Sequence, residues 1–493
     1  MISKLSRTKT KEGAAVDSVF LTITRVITAV LGLVVTKLLS TFFSLTDYGT
    51  YSQAMLIVTS IASVSILGLT NGLNYFYNSS TDIETKHKYL VTIFGLQFLI
   101  GSICGIAITV LAVPIINYFK NGNLIQIIFF AAWMPLFENL LNMLQVLFIS
   151  IKKARMIALR NLIISLLRLA IMFVAVIITN NIVIIFISLV ILEILQVVYF
   201  FITYRKLKGA LSIKLFDLKL IKPILSFCIP MAIYVFTHAL CRDIDKYVVS
   251  YFSNTETLAI YSNASKQLPF DLLSSSFVIV LVPIITRQIA SKRDDLAKQS
   301  FSRYLNFGIM VSWIIISGLF LMPKEMMEFL YDDKYISGYQ IFMVYLGIGM
   351  LQFANITLIL SAKGKTKTIM YCSIIALIVN LIFDILSYYV IGIIGPAIVN
   401  LLVTLGLIIV LLHFAAKELS CKIRDFFDFN EIATFIFVIF CALIIVSTLK
   451  ELFINKINNT VVRIFVTYLF YIIIVLPLNI KKIIRHLKGL NKL

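Results

Sequence analysis

The chain has 493 residues, of which 60% are hydrophobic and 14% charged, with a mean hydropathy of +0.97. A water-soluble protein of this length must clothe its surface with far more charge, so a soluble globular fold is excluded. The net charge of +20 lies in short loops between apolar runs and no nucleic-acid motif accompanies it, so it reads as a membrane-topology signal and not as nucleic-acid binding.

No alternating-polarity strands of a membrane barrel are present, so the fold class is all-α and integral to a bilayer, each span satisfying its own backbone. Apolar runs fall at about 17–43, 52–77, 89–118, 124–150, 156–179 and 182–203. Six more follow at about 223–251, 258–285, 304–322, 338–360, 369–391 and 394–416, then two at about 430–449 and 461–480. The count is about fourteen transmembrane helices. The basic start, Lys4 to Lys11, leads directly into a full-length span, unlike a cleavable signal. With the N-terminus inside, inside segments carry 31 Lys and Arg and outside loops carry only Lys120, Lys324, Lys334, Lys450 and Lys456. That asymmetry puts both termini in the cytoplasm.

Two matches suggest an internal repeat. Phe43-Ser44-Leu45-Thr46-Asp47 returns as Phe252-Ser253-Asn254-Thr255-Glu256, and Ser150-Ile151-Lys152-Lys153 returns as Ser361-Ala362-Lys363-Gly364. The offsets of 209 and 211 residues predict two six-helix lobes in parallel orientation, residues 1–210 and 211–420, followed by two extra helices and a basic tail in 421–493. Parallel repeats of this kind belong to transporters with a binding site between their halves.

Several stretches carry a family resemblance. Leu45-Thr46-Asp47-Tyr48-Gly49-Thr50-Tyr51 follows the first span, Leu67-Gly68-Leu69-Thr70-Asn71-Gly72-Leu73 lies in the second, and Phe227-Cys228-Ile229-Pro230 opens the seventh. Asp243-Ile244-Asp245-Lys246, Lys363-Gly364-Lys365, Asn380 and Gly392-Ile393-Ile394-Gly395-Pro396-Ala397 follow. Over about residues 15–420 the chain resembles the polysaccharide flippases of the multidrug/oligosaccharidyl-lipid/polysaccharide exporter superfamily, with Cys228 replacing a usual small residue. The resemblance implies alternating-access export of an undecaprenyl-pyrophosphate-linked oligosaccharide across the bacterial plasma membrane. It further implies a V-shaped cavity lined by basic residues, a role in O-antigen, capsule or exopolysaccharide assembly, and pathway glycosyltransferases or a polymerase as neighbours.

Charges within hydrocarbon are costly unless they face a wet cavity or a partner, so each is a candidate functional residue. Arg25, Arg168, Arg242 and Lys266 are the candidate substrate-binding residues, since a pyrophosphate suits convergent basic groups. Arg25 belongs to a stripe of Ser18, Thr22, Ala29, Gly32 and Thr36, which either packs on a neighbouring helix or lines a cavity; an Arg on it favours the cavity. Arg168, the deepest basic residue, has an alternative as the partner of Glu138 or Glu193, and such a pair that exchanges for a substrate phosphate is a gate. Arg160, Lys37, Lys246 and Arg463 lie near span ends, where long side chains snorkel. Glu138, Glu193, Asp243, Asp245 and Asp271 are the candidate ion-coupling or gating residues, with Asp384 equally placed. Arg242, Asp243, Asp245 and Lys246 also read as a helix-end charge network, and His238 more simply as a packed residue than as a proton carrier.

Lys363-Gly364-Lys365-Thr366 lacks the first glycine of a phosphate loop, Ile359 standing there, and no metalloprotease or nucleophile-elbow motif occurs. The six cysteines lack CxxC spacing and read as packing residues. The expectation is therefore a transporter and not an enzyme, without cofactor or bound metal, driven by an H+ or Na+ gradient, by the membrane potential or by downstream consumption of its product. The alternatives are a cation-coupled multidrug exporter of the same superfamily, or a membrane polysaccharide polymerase, which the short 323–337 loop argues against.

Overall fold

The structure is a computed structural model that describes residues 23–80, 82–208, 212–266, 268, 281, 284–353 and 355–491. Those residues are helical throughout, with no strand among them. Among the described residues eleven helices are long and apolar enough to cross a bilayer, and a twelfth span is formed if the bent helix Leu218–Phe252 counts as one. Two expected spans are not among these. Most of 258–285 lies outside the described residues, and 338–360 is broken into helices Tyr339–Leu351 and Leu358–Ala362. Neither piece alone is long enough to span about 30 Å of hydrocarbon.

The chain divides into two compact units, one taking the described residues up to Asp243 together with Ser250–Ala259, the other taking Ile244–Val249 and Ile260 onward. Compact packing thus divides within the helix Leu218–Phe252, whereas the sequence repeat places its division near residue 210.

The first unit contains α1 (Ile23–Phe42), α2 (Leu45–Ser65), α3 (Leu69–Ser79), α4 (Ile83–Val110), α5 (Ala112–Phe119), α6 (Ile125–Ala131), α7 (Met134–Ser150), α8 (Ala154–Phe173) and α9 (Ile182–Lys208). It also takes most of α10 (Leu218–Phe252) and the start of α11 (Thr255–Ala264). Packing centres on α7, which touches α2, α3, α4 and α9 and buries Met143, Leu144, Leu147 and Phe148. The α2–α3 break is set by Gly68, whose φ of +67° only glycine adopts without strain. A Cβ at Gly72 would lie 2.5 Å from the Cys228 sulfur on α10. The Gly-Leu stretch and the cysteine of the seventh span are therefore two sides of one close helix contact, with Cys228 fully buried as the packing residue expected of it.

The second unit holds α12 (Asp294–Ser317), α13 (Pro323–Leu330), α14 (Tyr339–Leu351), α15 (Leu358–Ala362), α16 (Thr366–Ile391), α17 (Ile394–Glu418), α18 (Phe429–Leu452) and α19 (Thr460–Asn491). Here α12 is the central helix, touched by α14, α18 and α19. The two final helices are fastened at both ends by buried polar groups. Lys450 Nζ lies 2.6 Å from Glu325 Oε1, and His486 Nε2 lies 3.2 Å from Glu431 Oε2.

The repeated sequence motifs adopt repeated local geometry. Ser44 accepts the Asp47 amide at 3.0 Å and starts α2, while Asn254 accepts the Thr257 amide at 2.8 Å and starts α11. Lys152 (φ +61°) and Gly364 (φ +72°) are the left-handed residues that precede α8 and α16. In both, the next lysine amide donates back to a carbonyl five residues earlier, Lys153 to Phe148 and Lys365 to Leu360, each at 2.8 Å.

Candidate functional site

Two polar clusters are built inside the units. In the first unit α8 and α9 face one another with charges in mid-span. Arg168 NH2 lies 3.5 Å from Glu193 Oε1, the guanidinium being 47% exposed and the carboxylate only 2%. The Glu193 Oε2 atom is buried with no hydrogen-bond partner. Two turns earlier Arg160 donates to Gln196 and to Asn161 Oδ1 at 2.8 Å, with its guanidinium carbon 5.6 Å from the Phe200 ring centre. Glu138 on α7 and Tyr51 on α2 lie within the electrostatic reach of Arg168. Two guanidiniums and two carboxylates thus meet across α7, α8 and α9 and balance one another in charge. A buried carboxylate held by one long contact to a half-exposed arginine is weakly committed, because most of its desolvation cost stays uncompensated.

The second unit holds a cluster of different character. Asp245 is fully buried; its Oδ2 accepts the Tyr261 hydroxyl at 2.6 Å and the Tyr345 hydroxyl, and its Oδ1 accepts the Lys246 amide at 2.9 Å. Asn400 on α17 donates to the Tyr345 hydroxyl at 3.3 Å. Asp384 on α16 is also 0% exposed, both of its carboxylate oxygens lack a hydrogen bond, and it feels the charge of Asp245. Asn380, one turn earlier, is buried beside it in sequence and on the same helix face. Two buried carboxylates in one field are expensive when both carry bare charge. A proton or a small cation relieves that cost. The donors are all oxygens, which suits H+, Na+ or another hard cation and not a thiophilic metal.

The sequence-predicted residues distribute between these clusters and elsewhere. Of the two partners anticipated for Arg168, Glu193 makes the ion pair, while Glu138 lies within its electrostatic reach. Arg160, expected to snorkel, instead turns onto Gln196 and Phe200 and belongs to the same cluster, because α9 offers an amide and an aromatic face one turn apart. Arg25 is exposed on α1, and a Cβ at Gly32 of its stripe would touch nothing within 4 Å, so this part of the stripe is not a tight packing seam. Of the Arg242–Lys246 charges, Arg242 pairs with Asp243 at 3.1 Å, and Asp245 accepts the tyrosine hydroxyls. Lys266 follows the end of α11 in an exposed position within the electrostatic reach of Lys246. Asp271, Ser18, Thr22 and the His238 side chain lie outside the described residues. Sequence reasoning missed Tyr261, Tyr345 and Asn400. Only Tyr261 carried a signal, since Tyr51-Ser52 and Tyr261-Ser262 follow the two copies of the repeated Phe-Ser motif.

Residues 38–339, more than half of the chain, match the polysaccharide biosynthesis protein family. Among solved structures, the lipid II flippase MurJ in an inward closed conformation matches with a TM-score of 0.72 at 18% identity, covering 94% of this chain and 100% of that one. An inward-facing multidrug resistance MATE family transporter of the MOP superfamily matches with a TM-score of 0.65 at 12% identity, covering 81% of this chain and 98% of that one. A MOP superfamily transporter from Pyrococcus furiosus, described by a binding pocket of reversed polarity, matches with a TM-score of 0.56 at 10% identity over 82% of this chain and 94% of that one. No curated protein matches the sequence. At these identities the structures carry the fold and the family match carries membership. The chain is a multi-pass membrane protein that belongs to the polysaccharide biosynthesis protein family and has the fold of the multidrug/oligosaccharidyl-lipid/polysaccharide transporters.

Proposed function

We propose that the protein exports a polyprenyl-pyrophosphate-linked oligosaccharide across the plasma membrane by alternating access, for assembly of a surface polysaccharide, with both termini in the cytoplasm. The observation that carries this reading is the pair of unlike clusters in a chain of this family. The first unit offers Arg168, half exposed and loosely held by Glu193, which suits release from its carboxylate onto an anionic pyrophosphate. The second unit offers Asp245 and Asp384, both buried and within one another's electrostatic reach, which suits reversible binding of the driving H+ or Na+. Arg25 and Arg242 are further anion contacts in this reading, and Lys266 a contact near the start of the eighth span. Pathway glycosyltransferases or a polymerase supply and consume the glycan, and the chain itself performs no bond chemistry.

The matching MATE transporters keep the multidrug reading in view, and Glu193 with Glu138 would be its cation contacts. Arg160 and Arg168 beside them oppose a cationic drug, which is why the anionic substrate is preferred.

The test is made in cells that depend on the protein for surface polysaccharide. Depletion is expected to leave lipid-linked glycan on the inner leaflet, and Asp245→Asn or Asp384→Asn, expressed to wild-type level, is expected to cut export at least tenfold. Surface glycan that persists unchanged on depletion would overturn the substrate assignment. Full export by both variants would overturn the coupling site alone.

A further inference from the structure

The antiparallel pair α16 and α17 encloses an apolar groove of about 810 Å³, lined by Thr368, Tyr371, Phe383, Leu402, Val410 and Phe414 among others and by no charged residue. Val379, Ile375 and Tyr371 on α16 and Leu402, Gly406 and Val410 on α17 line the same groove. From Thr368 to Phe383 the helix rises about 22 Å, enough to carry one acyl chain from the interface past the midplane of a hydrocarbon core of about 30 Å. The floor at Gly406 is open, since a Cβ there would meet nothing within 4 Å. A glycine in mid-helix is therefore kept without any packing return from the protein, although it costs about 1 kcal/mol against alanine.

The mouth of the groove has one sign of charge. One turn beyond Tyr371 stands Lys367, and one turn beyond Phe414 stands Lys417, both exposed. The nearby acids are taken by other lysines: Asp294 by Lys363 at 2.8 Å and Glu418 by Lys365 at 3.0 Å. Among the described residues neither Lys367 nor Lys417 is held in an ion pair. This is the helix end that the positive-inside pattern assigns to the cytoplasm.

We infer that this groove is a binding site for an anionic phospholipid of the cytoplasmic leaflet, one acyl chain lying along Val379, Phe383 and Gly406 and the phosphate received by Lys367 and Lys417. The apolar walls give no hold to a glycan, and a membrane-embedded groove is filled from the bilayer beside it. The two lysines select a negative headgroup, each cation near such a surface contributing to retention. The site is separate from Asp245 and Arg168, and it stands whether or not the proposed substrate is correct.

The test uses the full chain in nanodiscs of phosphatidylcholine doped with phosphatidylglycerol that bears a photoreactive acyl chain, with labelled peptides mapped by mass spectrometry. Labelling is expected between Thr368 and Phe414, with roughly a tenfold drop in Lys367→Glu/Lys417→Glu. A comparable loss is expected in Gly406→Leu, which fills the groove and should not impair the helix. Circular dichroism and elution volume establish that each variant is folded. Equal labelling by phosphatidylcholine carrying the same probe, or labelling that survives both sets of substitutions, overturns the inference. Displacement of the label by undecaprenyl phosphate and not by excess unlabelled phosphatidylglycerol also overturns it, because the groove would then serve the carrier lipid.

Discussion

The Arg168–Glu193 pair separates a structural from a functional role in one double-mutant cycle. At 3.5 Å two unit charges attract by about 5 kcal/mol at an effective dielectric of 20. Solvent around the half-exposed guanidinium screens this to roughly 2 kcal/mol. Arg168→Gln strands a buried carboxylate and should destabilise by about that amount, lowering the unfolding midpoint by roughly 4 °C for a unit of this size. Glu193→Gln leaves a guanidinium that water can reach and should cost less. The double Gln variant should therefore regain most of the lost stability, read by thermal unfolding in detergent followed by size exclusion. Export behaves differently if Arg168 receives the pyrophosphate: Arg168→Gln and the double variant should both lose surface glycan, while Glu193→Gln retains part of it. A double variant that regains stability and export together would refute the substrate role and leave Arg168 as half of a structural pair.

Three further outcomes follow from local geometry. Gly72→Ala should destabilise by about 1–2 kcal/mol, because its Cβ meets the Cys228 sulfur at 2.5 Å, and Cys228→Ala in the same chain should restore the unfolding midpoint. Lys450→Met should cost about 1–2 kcal/mol, because Glu325, whose side chain is 12% exposed, keeps only the longer contact to Arg463 at 3.8 Å; adding Glu325→Gln should recover part of it, and an unchanged midpoint in the single variant would show that the final helices are held otherwise. Asp82, in the loop before α4, accepts the Thr85 amide at 2.9 Å and the Thr85 hydroxyl at 3.0 Å, and these bonds hold its carboxyl below the usual carboxylate range. A depressed folded value stabilises above the unfolded value and is lost as pH falls through the folded one. Amide exchange at Glu84 to Lys88 should thus rise only below about pH 4, and Asp82→Ala should show that raised exchange at every pH.

How much of this was legible in the sequence depended on the range of the interaction concerned. Runs of Ile, Leu and Phe define spans because hydrocarbon forces each segment to satisfy its own backbone. The repeat was readable because Ser44 with Asp47, and Asn254 with Thr257, are local caps whose chemistry is written within four residues. The Arg168–Glu193 contact was one of two pairings that the sequence allowed, and packing of α8 on α9 chose between them. Tyr345 and Asn400 were invisible because Tyr345 reaches Asp245 across 100 residues and Asn400 reaches Tyr345 across 55, and nothing local distinguishes a tyrosine that bonds a buried carboxylate from one that packs. Arg160 was misread for a related reason: position near a span end predicts snorkelling only when no amide and aromatic ring wait on the neighbouring helix. Tyr339–Leu351 and Leu358–Ala362 read as one span because hydropathy alone does not register the break between them.

The claim that the chain moves a lipid-linked glycan, driven by a cation at Asp245 and Asp384, is tested most directly in proteoliposomes. The purified chain is reconstituted with a fluorescent undecaprenyl-pyrophosphate oligosaccharide, and the label reaching the outer leaflet is bleached with an impermeant reductant. Transfer should accelerate when an inward Na+ or H+ gradient is imposed, and Asp384→Asn should abolish that acceleration while the protein stays folded. A glycolipid that stays on its leaflet under either gradient would contradict the account.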